Sequence, residues 1–321
     1  MDSSDTGINF TNQIIADDSL NLLNQTNMYN GAGVAIGDLN GDSLPDLVLA
    51  GNQVPLKAFL NRGNWKFEDI TQKSGLISER WTNGISLVDI NADGLTDIYV
   101  SNSILNTPQQ RANEFFIHQG YDAEGYPIYK EEAEKMGLAN TGLSTHTAFF
   151  DYDKDGDLDA YVLTNTMETF PHNTLRPKKK DGTGKSNDFL YRNNGDGTFT
   201  DVSTEAGITI EGYGLGIAIT DINRDQWPDI YVSNDFISND LLWINQKDGT
   251  FKNEVGQYLR HQSQNGMGVD VADFDNNGFA DIVVMDMLPE DNFSLKKMLP
   301  YENYDRFFMA VNHLGYEPQF V

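Results

Sequence analysis

The chain has 321 residues, with 22 Lys+Arg against 48 Asp+Glu and a net charge of -26. That acidity repels a phosphate backbone and excludes nucleic acid as a partner, while favouring cations or basic surfaces. An apolar fraction of 39% can build a core and no apolar run is long enough to cross a bilayer, while zero Cys removes disulfides, thiolate metal sites and cysteine nucleophiles.

The opening Met1-Asp2-Ser3-Ser4-Asp5 has neither the basic nor the apolar region of an export signal. It predicts either a cytosolic chain or an exported one written without its signal. Further on, a repeat dominates. The pattern Asp-x-[Asp/Asn]-x-[Asp/Asn]-x-x-x-Asp starts at Asp38, Asp89, Asp151, Asp221 and Asp273, at intervals of 51, 62, 70 and 52 residues. A short apolar stretch precedes each loop: Val34–Ile36, Ile85–Val88, Ala148–Phe150, Ile217–Ile219 and Val269–Val271. Another follows: Leu47–Leu49, Ile98–Val100, Ala160–Val162, Ile230–Val232 and Ile282–Val284. Aromatic and β-branched runs between turn residues predict strands.

A second module comes next. Segments 113–119, 187–193 and 239–245 align without gaps on Asn113, Asn187 and Asn239. Two of them lead into glycine turns and then Phe199 or Phe251, which is hairpin chemistry. Short helical tails are expected over 69–75, 131–137 and 201–207, each with Gly at the C′ position. Strand, acidic loop, strand, strand, hairpin, strand is the pattern of a propeller blade. Glycines at 31, 33, 84, 214, 216, 266 and 268 crowd the first strands, where strands converge and side chains lack room. The expected fold is all-β, a β-propeller of four-stranded antiparallel blades. About five to six blades lie in one domain over 1–321, within a larger ring. The unit after Asp281 lacks its hairpin and outer strand, as in a chain truncated at its C-terminus.

Each loop presents oxygen side chains at positions 1, 3, 5 and 9. They are Asp38, Asn40, Asp42 and Asp46; Asp89, Asn91, Asp93 and Asp97; Asp151, Asp153, Asp155 and Asp159; Asp221, Asn223, Asp225 and Asp229; and Asp273, Asp275, Asn277 and Asp281. Carboxylates packed this closely repel one another or take up protons unless a hard cation lies among them. Calcium accepts about 6–8 oxygens in irregular geometry, so these side chains and a carbonyl near position 7 suit it better than magnesium. Imidazole and thiolate are absent from the loops, which disfavours transition metals. Position 12 is Leu49, Val100, Val162, Val232 or Val284 rather than Glu, which excludes an EF-hand. Up to five structural calcium sites are expected. Asp157 adds a further carboxylate to the third loop and marks it as the tightest. Ser43 and Gln226 replace glycine at position 6, so those two loops should bind more weakly or turn differently. An acidic turn held by Asx hydrogen bonds without metal is the competing reading.

Residues 33–42 and 150–159 resemble FG-GAP/VCBS repeats, the repeat class of the integrin α-subunit propeller. The phrases at 196–199, 228–236 and 285–289 resemble a narrower group, the exported VCBS-repeat proteins of Bacteroidota that are similar to cartilage acidic protein and carry an ASPIC-type C-terminal region. The resemblance implies a seven-bladed or similar calcium propeller outside the cytoplasm, on a bacterial cell surface and often as a lipoprotein.

In an up-and-down blade the acidic loops and hairpins share one face. The opposite face carries the long insertions 101–112 and 165–186. Trp81, His146, Tyr213 and His261 lie near the interblade links and are candidates for binding a glycan or protein ligand; packing of blade on blade is the alternative. Arg176, at the head of a basic run 176–180, is a further candidate for an acidic glycan or partner. Outer-membrane surface proteins are one expected class of partner. A calcium-dependent polysaccharide lyase, with His146, His172 or Arg176 as base, is the enzymatic alternative to an adhesion or surface-complex module.

Overall fold

The structure is a computed structural model that describes residues 3–25, 27–104, 107–166, 176–235, 238–263, 265–287, 291–298 and 304–317. A helical turn, α1 (Ser3–Thr6), precedes β1 (Val34–Gly37), β2 (Asp46–Leu49), β3 (Lys57–Asn61), β4 (Phe67–Asp69) and α2 (Thr71–Ser74). Then come β5 (Thr82–Val88), β6 (Asp97–Asn102), β7 (Glu114–Tyr121), β8 (Pro127–Glu131) and α3 (Ala133–Met136). The third run is β9 (Ser144–Phe150), β10 (Asp159–Thr164), β11 (Phe189–Asn193) and β12 (Phe199–Asp201). The fourth is β13 (Gly214–Thr220), β14 (Asp229–Asn234), β15 (Leu241–Asn245), β16 (Phe251–Asn253) and α4 (Val255–Tyr258). The last is β17 (Gly266–Ala272), β18 (Asp281–Asp286), α5 (Asn292–Met298) and α6 (Tyr304–His313).

Four sheets contain four strands each, in simple sequence order, and β17–β18 form a two-stranded sheet. The five first and five second strands fall where the apolar runs predict them. Strands β6, β10 and β14 are buried along their whole length, which is why they read as continuous apolar runs rather than as alternation. The final run contains α5 and α6, two helices that the sequence reading does not anticipate.

The chain folds as two compact units, Met1–Phe149 with Tyr191–Thr200, and Phe150–Leu190 with Asp201–Val321. In the first unit Val48, Ala58 and Leu60 of one blade pack with Ile85, Ile98 and Phe116 of the next. In the second, Tyr231, Leu242 and Ile244 pack with Val269, Ile282 and Val284. First strands of neighbouring blades approach too closely for side chains. A Cβ on Gly33 would lie 2.8 Å from Ile85 N, and one on Gly216 would lie 2.8 Å from Val269 N. A Cβ on Gly84 would strike the Thr145 carbonyl.

A second recurrent contact joins blades at their rims. Gly75 (φ 77°) follows α2 and sits over the Tyr129 carbonyl of the next blade, where a Cβ would lie 3.1 Å from the oxygen. Gly137 and Gly207 sit likewise over the carbonyls of Phe199 and Phe251. Gly7 (φ 82°), after α1, occupies the same seat on Phe67 of β4. One expected tail departs from expectation: residues 203–207 form turns rather than a helix. A further tail, α4, ends on Leu259 in extended conformation.

The gapless alignment of the third strands needs correction by one residue at β7. Glu114 pairs with Val100, whereas Leu241 pairs with Val232. Asn113 therefore stands where Asp188 and Asp240 stand. Each accepts the N–H of the last residue of the second strand, Asn102, Thr164 or Asn234, at 2.8 Å. Burial drives Asp188 up to about 7 and Asp240 up to about 6, and the hydroxyls of Tyr161 and Tyr231 donate to them. Asn113 meets Tyr99 without a charge, its amide donating to the phenol oxygen at 3.0 Å.

Candidate metal centre

All five acidic loops share one hydrogen-bond scheme. The position-1 carboxylate accepts the position-6 N–H, from Ser43, Gly94, Gly156, Gln226 and Gly278, at 2.7–3.1 Å. The position-9 carboxylate accepts the position-2 N–H, from Leu39, Ile90, Tyr152, Ile222 and Phe274, at 2.8–3.1 Å. Its second oxygen reaches the third strand, accepting the N–H of Asn61, His118 or Asn245 from Asp46, Asp97 or Asp229 at 2.7, 2.7 and 2.9 Å.

Position 6 is left-handed throughout, and this corrects the expectation that the Ser43 and Gln226 loops turn differently. Ser43 (φ 66°) and Gln226 (φ 73°) turn like Gly94 (φ 82°), Gly156 (φ 99°) and Gly278 (φ 83°). At Ser43 and Gln226 the N–H bonds from positions 5 and 6 to the first Asp hold that strained conformation in place. Position 4 is left-handed as well, at Gly41, Ala92, Lys154, Arg224 and Asn276, a feature that residue identity does not signal. Lys154 lies 4.9 Å from the ring of Trp227 and Arg224 lies 4.4 Å from that of Phe279, so position 4 of one loop caps position 7 of the next.

The loops differ in how their oxygens gather. In the third and fifth, Asp153 and Asp275 occupy position 3. Ligand oxygens of Asp151, Asp153 and Asp159, and those of Asp273, Asp275 and Asp281, lie within 4.8 Å of one another. In the others, Asn40, Asn91 and Asn223 donate to the position-5 carboxylate at 3.0, 3.0 and 2.8 Å. Asp38, Asp89, Asp221 and Asp273 each receive a position-5 N–H on Oδ1. In the third loop, Asp151 Oδ1 is instead buried with no hydrogen-bond partner among the described residues. A buried anionic oxygen without a donor is costly, and a cation satisfies it.

Burial raises the position-9 acids: Asp46 and Asp229 move up, and Asp97 is pushed up to about 6. The nearby carboxylates of Asp38 and Asp42, and of Asp89 and Asp93, add to this for Asp46 and Asp97. All donors are hard oxygens on short side chains, which fits calcium.

His118 is a structural anchor of this region that sequence reading missed. It takes the place of Asn61 and Asn245. Its Nδ1 accepts the Gly120 N–H at 2.9 Å, as the Oδ1 atoms of Asn61 and Asn245 accept those of Gly63 and Lys247. Burial lowers its pKa.

The candidate ligand residues sit as follows. Trp81 is buried with Met28 and Ile104. His146 is half-buried on β9, and burial lowers its pKa. Tyr213 is half-buried and its N–H donates to Asn234 Oδ1 at 2.8 Å. His261 is exposed. Arg176 is engaged by Glu211 through both terminal nitrogens, one at 2.7 Å. The rest of the basic run is not uniformly solvated: Lys178 is buried and donates to Asn239 Oδ1 at 2.8 Å. His172 lies outside the described residues.

Repeated four-stranded antiparallel sheets with carboxylate loops between first and second strands define a bladed repeat protein. The FG-GAP-like repeat model matches residues 22–100, 182–232 and 221–284, more than half of the chain, and the chain belongs to that family. The fold is accordingly an all-β, multi-bladed propeller. The third loop falls outside the matched segments yet shares the hydrogen-bond scheme. The chain is similar to cartilage acidic protein 1 of Xenopus tropicalis, 25% identical over 263 residues, 78% of this chain and 39% of that one. The human protein is 25% identical over 263 residues, 78% of this chain and 38% of that one. The chain thus spans about two fifths of the length of these curated relatives. Among solved structures, the N-terminal domain of Nup159 gives a TM-score of 0.37 at 11% identity, covering 78% of this chain and 61% of that one. BBS1N, crystallised with ARL6DN, gives 0.32 at 12%, covering 78% and 74%. Among the described residues no helix is long and apolar enough to cross a membrane.

Proposed function

We propose that the chain is a calcium-stabilised propeller that works outside the cytoplasm as a ligand-binding or adhesion module, with a glycan or protein ligand. Calcium would be held by positions 1, 3, 5 and 9 of each loop. The observation that carries this is Asp151 Oδ1, buried and unpartnered beside the oxygens of Asp153 and Asp159. Bound ions would neutralise part of the charge of -26 and stabilise the folded form by mass action. The likeness to cartilage acidic protein 1 supports an extracellular or cell-surface role, outer-membrane surface proteins being one class of partner.

Calorimetric melting with and without chelator, combined with metal analysis, tests the reading. The expected result is bound calcium, a fall in melting temperature on chelation, and the loss of about one ion in Asp151→Ala. Purified protein with no bound calcium and no response to chelator overturns it. Alanine variants at His146, Tyr213 and His261, screened against glycans and surface proteins, test the ligand face.

A further inference from the structure

We propose that Lys247 is a resident cation of the fourth acidic loop, a tethered ammonium that neutralises Asp225 without metal and competes with calcium there. It stands at a turn that recurs through the chain. In four hairpins between third and fourth strands, one side chain accepts the N–H of the residue two places on. Asn61, His118, Asn193 and Asn245 do so for Gly63, Gly120, Gly195 and Lys247 at 2.9–3.0 Å. All four donors are left-handed, at φ 77°, 96°, 71° and 67°. Glycine takes that conformation freely and a residue with a Cβ does not, so lysine is the unfavourable choice among the four. A residue held against its backbone preference points to a task for its side chain.

Lys247 Nζ lies 3.2 Å from Asp225 Oδ2, at position 5 of the acidic loop in the same blade. Among the described residues Asp42, Asp93 and Asp155, the other position-5 acids, have no ion pair. The same Asp225 oxygen accepts from Asn223 Nδ2 at 2.8 Å, and Oδ1 accepts the Trp227 N–H at 2.9 Å. With Lys247 in place, both Asp225 oxygens and the charge are satisfied without metal. In the third loop, by contrast, Asp151 Oδ1 is buried with no partner among the described residues. The third loop needs a cation from solution; the fourth carries one. Calcium seated among Asp221, Asn223, Asp225 and Asp229 would have to displace the ammonium and bear its repulsion. This role rests on the calcium reading of the loops and ranks the fourth below the third. The Lys247 side chain is 46% exposed, so the ion pair is modest and screened by salt.

Hydrogen exchange of the full chain, read on the backbone amides of 221–229 and 151–159, tests the proposal. In chelator at low salt, Lys247→Met should exchange 221–229 several-fold faster than wild type. Lys247→Arg should match wild type, and 151–159 should not change. High salt should abolish the difference, which a merely structural side chain would not show. Lys247→Gly, the residue of the other three turns, removes the backbone strain and should behave as Lys247→Met. On titration with calcium, the concentration that half-protects 221–229 should fall up to about fivefold in Lys247→Met, the size of an exposed ion pair, with no shift at 151–159. Exchange in chelator that Lys247→Met leaves unaltered, or a calcium midpoint that it leaves in place, overturns the proposal. If calcium protects no loop, the calcium reading falls and the competition with it, while the chelator comparison still decides whether Lys247 holds the fourth loop.

Discussion

Asp97 and His118 are joined by a hydrogen bond of 2.7 Å from the His118 backbone N–H to the buried carboxylate of the second acidic loop. The other oxygen of Asp97 accepts the Ile90 N–H at 3.1 Å. One side chain therefore ties the loop to itself and to the third strand. Asp46 and Asp229 make the same two contacts, so shaping the loop and holding the blade are one task.

Replacing Asp97 with Asn leaves a single acceptor for two N–H groups. One buried donor is then unsatisfied, at a cost of about 1–3 kcal/mol. Urea unfolding of Asp97→Asn in chelator should show that loss, and an unchanged midpoint would show that the second contact is dispensable.

Acidity should modulate the calcium effect. Asp97 titrates at about 6 in the folded chain against an ordinary 3.8, chiefly through burial. The folded form binds that proton more tightly, so stability without metal is lost as pH rises from about 4 through 6. Calcium would hold the carboxylate ionised. The rise in melting temperature on adding calcium should therefore be larger at neutral pH than near pH 5.

The convergence of first strands at Gly84 leaves no space for a methyl group. Gly84→Ala would push a Cβ into the Thr145 carbonyl. Overpacking of this kind costs about 1–3 kcal/mol, measurable by denaturant unfolding. Gly94→Ala, whose Cβ meets nothing within 4 Å but whose φ is 82°, separates crowding from backbone strain.

Burial depresses Lys178 to about 8. Asn239 takes its hydrogen bond, while Glu211, Asp240 and Glu317 favour its charge and Lys180 opposes it. Its folded pKa lies below the ordinary 10.5, so the unfolded chain binds more protons between the two values and stability rises with pH across that window. Relative to Lys178→Met, wild type should gain stability from pH 8 to pH 10. Parallel profiles would show that Lys178 is solvated.

The strands and loops were legible because their signals are local. Asp-x-Asn-x-Asp fixes its own turn, and the buried second strands advertise themselves as apolar runs. The register of β7 was not, because Asn113-Glu114 resembles Asn239-Asp240 in letters. The cross-strand bond to Asn102 selects Asn113 over Glu114, and only tertiary contact reveals that choice. His118 escaped notice for a related reason: a ring nitrogen performs there the work of an amide oxygen. At position 6 the letters misled. Ser43 and Gln226 adopt the conformation of glycine because the Asp at position 1 holds their N–H groups.

The glycine seats have a consequence for how such chains diversify. Gly75, Gly137 and Gly207 each rest on a main-chain oxygen, which every amino acid supplies. The joint does not recognise what its neighbour is, only that a backbone is there. At this seat, unlike at the side-chain seam beside it, the neighbouring module can drift with no matching change across the contact, and the one letter the seat requires is the glycine.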